Sequence, residues 1–269
     1  MAHKIQSINL LGTNSVFIGE SALKIYSRLM LILLIVGSSA SMTFAANEAG
    51  NAEAESWEFE ITPYIWAAGL DGDVSAGGVT SPIENDYNFF VLENLDLAGS
   101  GTFEARKHNW ALLIDGLYTR FSDDFTNPVF GTHLVNEGGF VEAAVSYRFD
   151  KLKFLEFIAG ARYVFVDLDL TLSPGPDVKA SKDWVDPALG LRFTWDITDR
   201  WLMRLRGDLG GFGAGSDFVS SAVMTIEYRL SEMFSLKAGY RFMKWEFEDK
   251  DFIHDVSLSG FGLGLGIQF

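Results

Sequence analysis

Apolar and small residues alternate through the C-terminal stretch His254 to Phe269. From Asp255 the odd positions read Ser257, Ser259, Phe261, Leu263, Leu265, Ile267 and Phe269, while the even positions from Gly260 read Gly262, Gly264, Gly266 and Gln268. A period of two is a strand, and this one is apolar on one face and nearly bare on the other. A water-soluble sandwich usually carries polar groups outside and bulk inside. Alternation over about ten residues instead fits a strand with lipid on one side and a crowded lumen on the other.

The first segment of the same kind is Trp57 to Ala67, with Trp57, Phe59, Ile61, Pro63 and Ile65 set against Glu58, Glu60, Thr62, Tyr64 and Trp66. Pro63 donates no ladder hydrogen bond, so it is expected at a bulge or beside a carbonyl that is already free. Gly69 to Gly78 reads as a polar continuation of that strand above the membrane. In Asp86 to Asp96 the apolar residues Phe89, Phe90, Leu92 and Leu95 lie at helical spacing, which predicts a short amphipathic helix in the first outer loop.

From Leu97 onward the chain reads as hairpins with two kinds of turn. The short ones are Lys107-His108-Asn109, Asp150-Lys151, Thr198-Asp199-Arg200 and Ser231-Glu232, and each leads into an aromatic-bearing strand at Trp110, Phe154, Trp201 or Phe234. The looser connections are Asp123 to Asn136, Ser173 to Lys182, Gly213 to Asp217, Glu248 to Asp255 and the loop after the first strand. Four tight turns alternating with five looser ones give ten strands, eight and twelve being the neighbouring even counts. The predicted fold is therefore all-β, a closed antiparallel transmembrane β-barrel over 57–269. Trp57, Trp110, Phe149, Phe154, Trp195, Trp201, Tyr228, Phe234 and Phe269 cluster at the tight-turn ends as one aromatic girdle. Tyr118, Tyr163, Trp184, Phe218 and Phe242 are expected in the other.

The N-terminal part changes the picture only by giving a compartment. Leu29 to Val36 is too short to span a bilayer as a helix; Lys24 and Arg28 precede it, and small residues follow to Ala45. Residues 1–45 thus read as a secretory signal peptide with an extended basic region, and 46–56 as a small, acidic, disordered tail on the periplasmic side. The absence of cysteine suits that route. The formal charge is -15, and removing Lys4, Lys24, Arg28 and Glu20 with the leader makes it -17. An acidic chain with no basic patch excludes nucleic acid as a partner.

Parity assigns the lumen once the apolar face is fixed. The acids on the inner face are Glu58, Glu60, Glu104, Asp115, Glu142, Glu156, Asp186, Asp208 and Glu227; the bases are Arg106, Arg148, Arg162, Arg192, Arg204, Arg206, Arg229, Lys237 and Arg241. Buried charge is costly unless paired, so equal numbers of each sign predict an interlocked, plugged lumen. The excess negative charge falls in loops, at Asp71, Asp73, Asp123, Asp124, Asp167, Asp169, Asp249 and their neighbours. Carboxylates at the outer mouth could bind the divalent cations that bridge lipopolysaccharide, although a solvated acidic surface accounts for them as well. Zinc-type ligand spacing and the acidic loop of an EF-hand are absent, so neither metal nor cofactor is expected.

These features resemble the small outer-membrane β-barrel proteins of Gram-negative bacteria, of which the OmpA transmembrane domain and OmpW are relatives in architecture. The residues that carry the resemblance are Trp57-Glu58-Phe59 with Pro63-Tyr64-Ile65-Trp66, then Phe103-Glu104-Ala105-Arg106 before Trp110. The end of the chain, Phe261, Leu263, Leu265, Ile267 and Phe269, resembles the C-terminal insertion signal of such barrels. The resemblance implies an outer-membrane location and contact with outer-membrane lipid and lipopolysaccharide. It also implies assembly through periplasmic chaperones and the barrel-insertion machinery. It transfers no functional residue.

Three functions remain open on the sequence. The first is a structural or surface-interaction role with a charge-plugged lumen. The second is a narrow porin-like channel, suggested by the bare wall Gly260, Gly262, Gly264 and Gly266. The third is a hydrolase at the outer rim, a protease or lipid-modifying enzyme, in which Asp251, His254 and Asp255 would form a carboxylate-oriented base. Nothing marks Ser257 or Ser259 as its nucleophile.

Overall fold

A computed structural model of the chain describes residues 56–76, 79–83, 95–126, 131–173, 178–249 and 252–269. The signal peptide expected over 1–45 and the tail expected over 46–56, Ser56 apart, lie outside the described residues. Eleven strands follow in order: β1 (Glu58–Ala76), β2 (Val79–Ile83), β3 (Leu95–Lys107), β4 (Trp110–Thr126), β5 (Gly131–Phe149), β6 (Leu152–Ser173), β7 (Val178–Asp196), β8 (Trp201–Gly210), β9 (Phe218–Arg229), β10 (Phe234–Asp249) and β11 (Phe252–Gln268). β2 pairs only with the outer end of β1. The other ten form an antiparallel meander that β11 closes against β1, so the predicted ten-strand closed barrel is the observed one.

No helix occurs among the described residues. The helix expected over Asp86–Asp96 falls outside them except for Leu95 and Asp96, which open β3 as strand, so a helix reaching Asp96 is corrected. The tight turns lie where the sequence puts them, and His108 takes a left-handed φ of 54° in the two-residue turn between β3 and β4. The looser connections shrink. β4 and β5 stay paired to Thr126 and Gly131, and β7 already begins at Val178, so much of what reads as loop is strand. Polar strands with water on the outside lack apolar alternation, which is why the sequence does not show them.

Strand lengths give the vertical scale. The 22 residues of β6 extend about 70 Å, or about 50 Å along the normal at a 45° tilt, against an apolar band about 25 Å tall. The rest stands as a collar outside. Within the band the exposed side chains are apolar: Ile61, Ile65, Val145, Phe157, Leu191, Leu205, Met224, Ile226 and Leu263. Trp57, Trp110, Phe149, Phe154, Trp195, Trp201, Phe234 and Phe269 are exposed at the short-turn end, where Phe59 stacks on Phe269 with centroids 5.7 Å apart. At the other boundary Tyr118, Tyr163 and Phe165 stack in a row, with Phe218 and Phe242 exposed. Trp184 is a correction to that girdle. Its parity matches Asp186, so it points inward and is 7% exposed.

The collar is uneven. β8 has 10 residues and β9 has 12, and they are joined at Gly210 and Val219, while β7 continues out to Val178 and β10 to Asp249. Side chains close the wall above this low hairpin. Trp184 of β7 stacks on Phe247 of β10 at 4.2 Å, and Lys182 pairs with Asp249 at 2.6 Å.

The band makes a prediction. Leu263→Arg places a cation in mid-bilayer and should destabilise the barrel by about 2–4 kcal/mol, whereas Ser257→Arg, above the band, should change it by less than about 1 kcal/mol. Urea titrations of both variants folded into lipid vesicles measure the difference.

Candidate functional site in the barrel lumen

The inward side chains form layers, and the first is charged. Near the short-turn end Glu156 accepts from Arg106 at 2.9 Å, Arg148 at 2.8 Å and Arg192 at 2.6 Å. The Ser146 hydroxyl donates to the same carboxylate at 3.0 Å. Glu104 accepts from Arg106 and Arg192, both at 2.8 Å. Beside them Lys237 joins Glu60 to Glu227, and Arg204 reaches Glu227 at 3.1 Å.

Further out, Glu142 accepts from Arg162 and Arg206, and Asp208 accepts from Arg162 at 2.9 Å and lies in an ion pair with Arg206 at 3.2 Å. Arg241 donates to Asp115 at 2.6 Å. The Tyr64 hydroxyl completes that pair, donating to Asp115 at 2.9 Å while accepting from Arg241 at 3.0 Å.

Register explains why the ions form a network rather than separate pairs. Arg162 lies opposite both Glu142 and Asp186, and Glu156 lies opposite both Arg148 and Arg192. Yet Glu60 is opposite Glu104, and Arg192 is opposite Arg206. Like charges directly across a ladder repel. Each such pair is therefore held by partners reaching across the barrel, as Arg192 does to Glu104.

Three of the charges expected on the inner face stand apart from the network, and the first, Glu58, is exposed at the short-turn end. Arg229 pairs with Asp196 at 3.1 Å at the short-turn rim, where both are well exposed. Asp186 is fully buried and accepts from neutral donors, the Ser216 backbone N–H at 2.6 Å, the Ser216 hydroxyl at 2.9 Å and Trp184 Nε1 at 3.0 Å.

Above the ions lies an apolar layer that parity alone did not reveal. Phe140, Val164, Val219, Met243, Trp245 and Val256 are buried there, with Trp66, Leu117 and Leu258 packed against them. Cation–π contacts join the two layers: the Arg241 guanidinium lies 5.0 Å from the Phe140 ring centre and 5.4 Å from that of Trp66. Tyr64 and Ser146 were also missed, although the alternation of the first strand put Tyr64 on the inner face with Glu60 and Thr62.

The rim residues are not brought together. His254 faces inward, its ring 5.8 Å from Trp184, whereas the adjacent Asp255 faces outward, 3.6 Å from Lys244. Neighbours in a strand point to opposite sides, so Asp255 cannot orient that imidazole. Asp251 lies outside the described residues. Burial against these rings pushes the His254 pKa down to about 4. No group of three or more metal-ligating side chains occurs among the described residues. Phe261, Leu263 and Leu265 are on the lipid face, with Ile267 half-buried beside them and Phe269 exposed at the rim.

No protein-family profile and no curated protein matches the chain. Solved structures do. The outer membrane protease OmpT of Escherichia coli has a TM-score of 0.45 at 8% identity, covering 83% of this chain and 100% of that one. The translocator domain of the autotransporter NalP of Neisseria meningitidis gives 0.42 at 11%, covering 93% and 98%. The attachment invasion locus protein Ail of Yersinia pestis gives 0.37 at 12%, covering 80% and 99%. These are likenesses of fold.

Two outcomes are expected. Glu142→Gln leaves the two cations Arg162 and Arg206 to share Asp208, so that one buried charge is uncompensated, and should cost about 3–5 kcal/mol, while Arg229→Ala at the rim should cost less than about 1 kcal/mol. Urea unfolding in vesicles reads both. His254 folds in its neutral form, so its contribution is complete above the unfolded value of about 6.5 and declines as pH falls toward 4. Between pH 7 and 4 wild type should therefore lose more stability than His254→Phe, measured as the difference in unfolding midpoints.

Proposed function

We propose that this chain, a closed β-barrel of the bacterial outer membrane, is a non-conducting barrel that acts through its outer collar in a structural or surface-interaction role. The observation that carries this reading is the double closure of the lumen. Porin lumens are polar and water-filled. Here an ion network spans the inner half and an apolar layer from Phe140 to Trp245 spans the outer half, and an ion would have to be dehydrated to pass the second after displacing the first. The collar supports the other half of the proposal: the long strands β4 to β7 hold their outer ends in rigid ladders, a stable surface for contact with other molecules.

The channel reading requires both layers to part, and the opposite facing of His254 and Asp255 withdraws the support that their spacing gave to a rim hydrolase. Planar-bilayer conductance is the test. Wild type should be silent, Arg241→Ala should stay silent because the apolar layer remains, and Arg241→Ala combined with Phe140→Ala and Trp245→Ala should leak. Stable openings of the wild-type protein would overturn the proposal in favour of the channel.

A further inference from the structure

The ladder between β1 and β3 stops early. Glu58 to Pro63 pair with Gly101 to Arg106, but β1 continues to Ala76 and β3 begins at Leu95, and no further pair joins them among the described residues. Pairing on this side of β1 resumes only at Gly72, with Ile83 of β2. By contrast β5 and β6 stay paired from Arg148 to Gly131. The chemical cause is at the break itself: Pro63 has no N–H to give. The Ser100 hydroxyl donates to the Tyr64 carbonyl in place of a ladder bond.

This gap is at lipid level. Ile65, on β1 beside the break, is 72% exposed on the apolar face. On β3 the outer face is bare at Gly99 and Gly101, since a Cβ at Gly99 would meet nothing within 4 Å and one at Gly101 only the backbone of Thr62 and Pro63. Hydrocarbon satisfies no backbone group, so an interrupted ladder at this depth is costly and is a place where a polar molecule gains by entering.

On the inner side of the gap is a cavity of about 200 Å³, whose lining includes Tyr64 and Trp66 of β1 and Thr102 of β3. Gly262 makes the room: a Cβ there would meet only the Ile65 carbonyl, at 3.4 Å. Five cations line the cavity, Arg192, Arg204, Arg206, Lys237 and Arg241, against three carboxylates, Glu60, Glu104 and Asp115; the other carboxylates that pair with these cations, Glu142, Glu156, Asp208 and Glu227, lie outside the lining. Arg192 and Arg241 are each 8% exposed. The volume is below the ~300–1,000 Å³ of pockets that enclose a drug-sized ligand, so it suits a head group and not a chain.

We propose that the β1–β3 gap is a lateral doorway, through which a single-chain amphiphile seats an anionic head group, carboxylate or phosphate monoester, in this cavity while its chain stays in the bilayer. The site does not depend on whether the lumen conducts.

Native mass spectrometry of the protein released from lipid nanodiscs tests it, with hexadecanoate, hexadecyl phosphate, neutral hexadecanol and inorganic phosphate as separate probes. Wild type should retain one hexadecanoate or hexadecyl phosphate at least tenfold better than hexadecanol. Gly262→Leu fills the cavity and Pro63→Val restores a ladder donor; each should reduce retention tenfold in protein whose heat-modifiable gel migration confirms a folded barrel. If Gly262→Leu does not fold, Pro63→Val decides alone. Equal retention of hexadecanol, or unchanged retention in the folded variants, overturns the proposal. Inorganic phosphate held as well as the chain-bearing anions, and indifferent to Pro63→Val, overturns the doorway and leaves an anion reached from water.

Discussion

Hydrocarbon offers neither a hydrogen-bond partner nor a counter-ion, and almost everything in this barrel follows from that. The backbone must satisfy itself between strands, which forces the sheet to close, as β11 does on β1. Side chains must then divide by parity, with apolar groups toward lipid and polar groups toward one another. Arg162, Glu142 and Asp208 are buried at mid-lumen because the outside of the wall is closed to them, and they are tolerated there because each meets the opposite sign. The break at Pro63 is the exception, and the barrel meets it with a side-chain hydroxyl.

The lumen changes character along its length. Charge gives way to apolar packing through Arg241, whose guanidinium serves Asp115 and Tyr64 on one side and the faces of Phe140 and Trp66 on the other. The two fillings resist different things. The ion network keeps out uncharged molecules that cannot replace its hydrogen bonds, and the apolar layer keeps out ions that cannot shed water.

Much of this was legible in the sequence where one face of a strand differed from the other. The alternation from Glu58 to Trp66 gave the inner face of β1, and that from Phe261 to Phe269 gave the lipid face of β11. The pattern fell silent where both faces are alike. At Val219 and Met243 the inner face is apolar too, beside Phe218 and Phe242 on the outer one, so nothing in the local sequence announces a second layer. From Asp123 to Asn136 apolar and polar positions do not alternate, and the paired outer strands there read as loop. The proposed base at His254 and Asp255 failed for a simpler reason: adjacency along an extended chain is opposition in space. Trp184 was placed in a girdle by its level alone, when the parity of Asp186 already put it inside.

The wall is closed by the two strands furthest apart in the sequence. Phe59 donates to the Phe269 carbonyl at 3.1 Å, and Phe269 donates back to Phe59 at 3.0 Å. Contacts between such distant segments are slow to form because the chain between them must first be ordered. Until they meet, the growing sheet carries two unsatisfied edges open to any passing strand. The time between synthesis and closure is therefore the vulnerable part of this protein's life, and Phe269 is the residue that ends it.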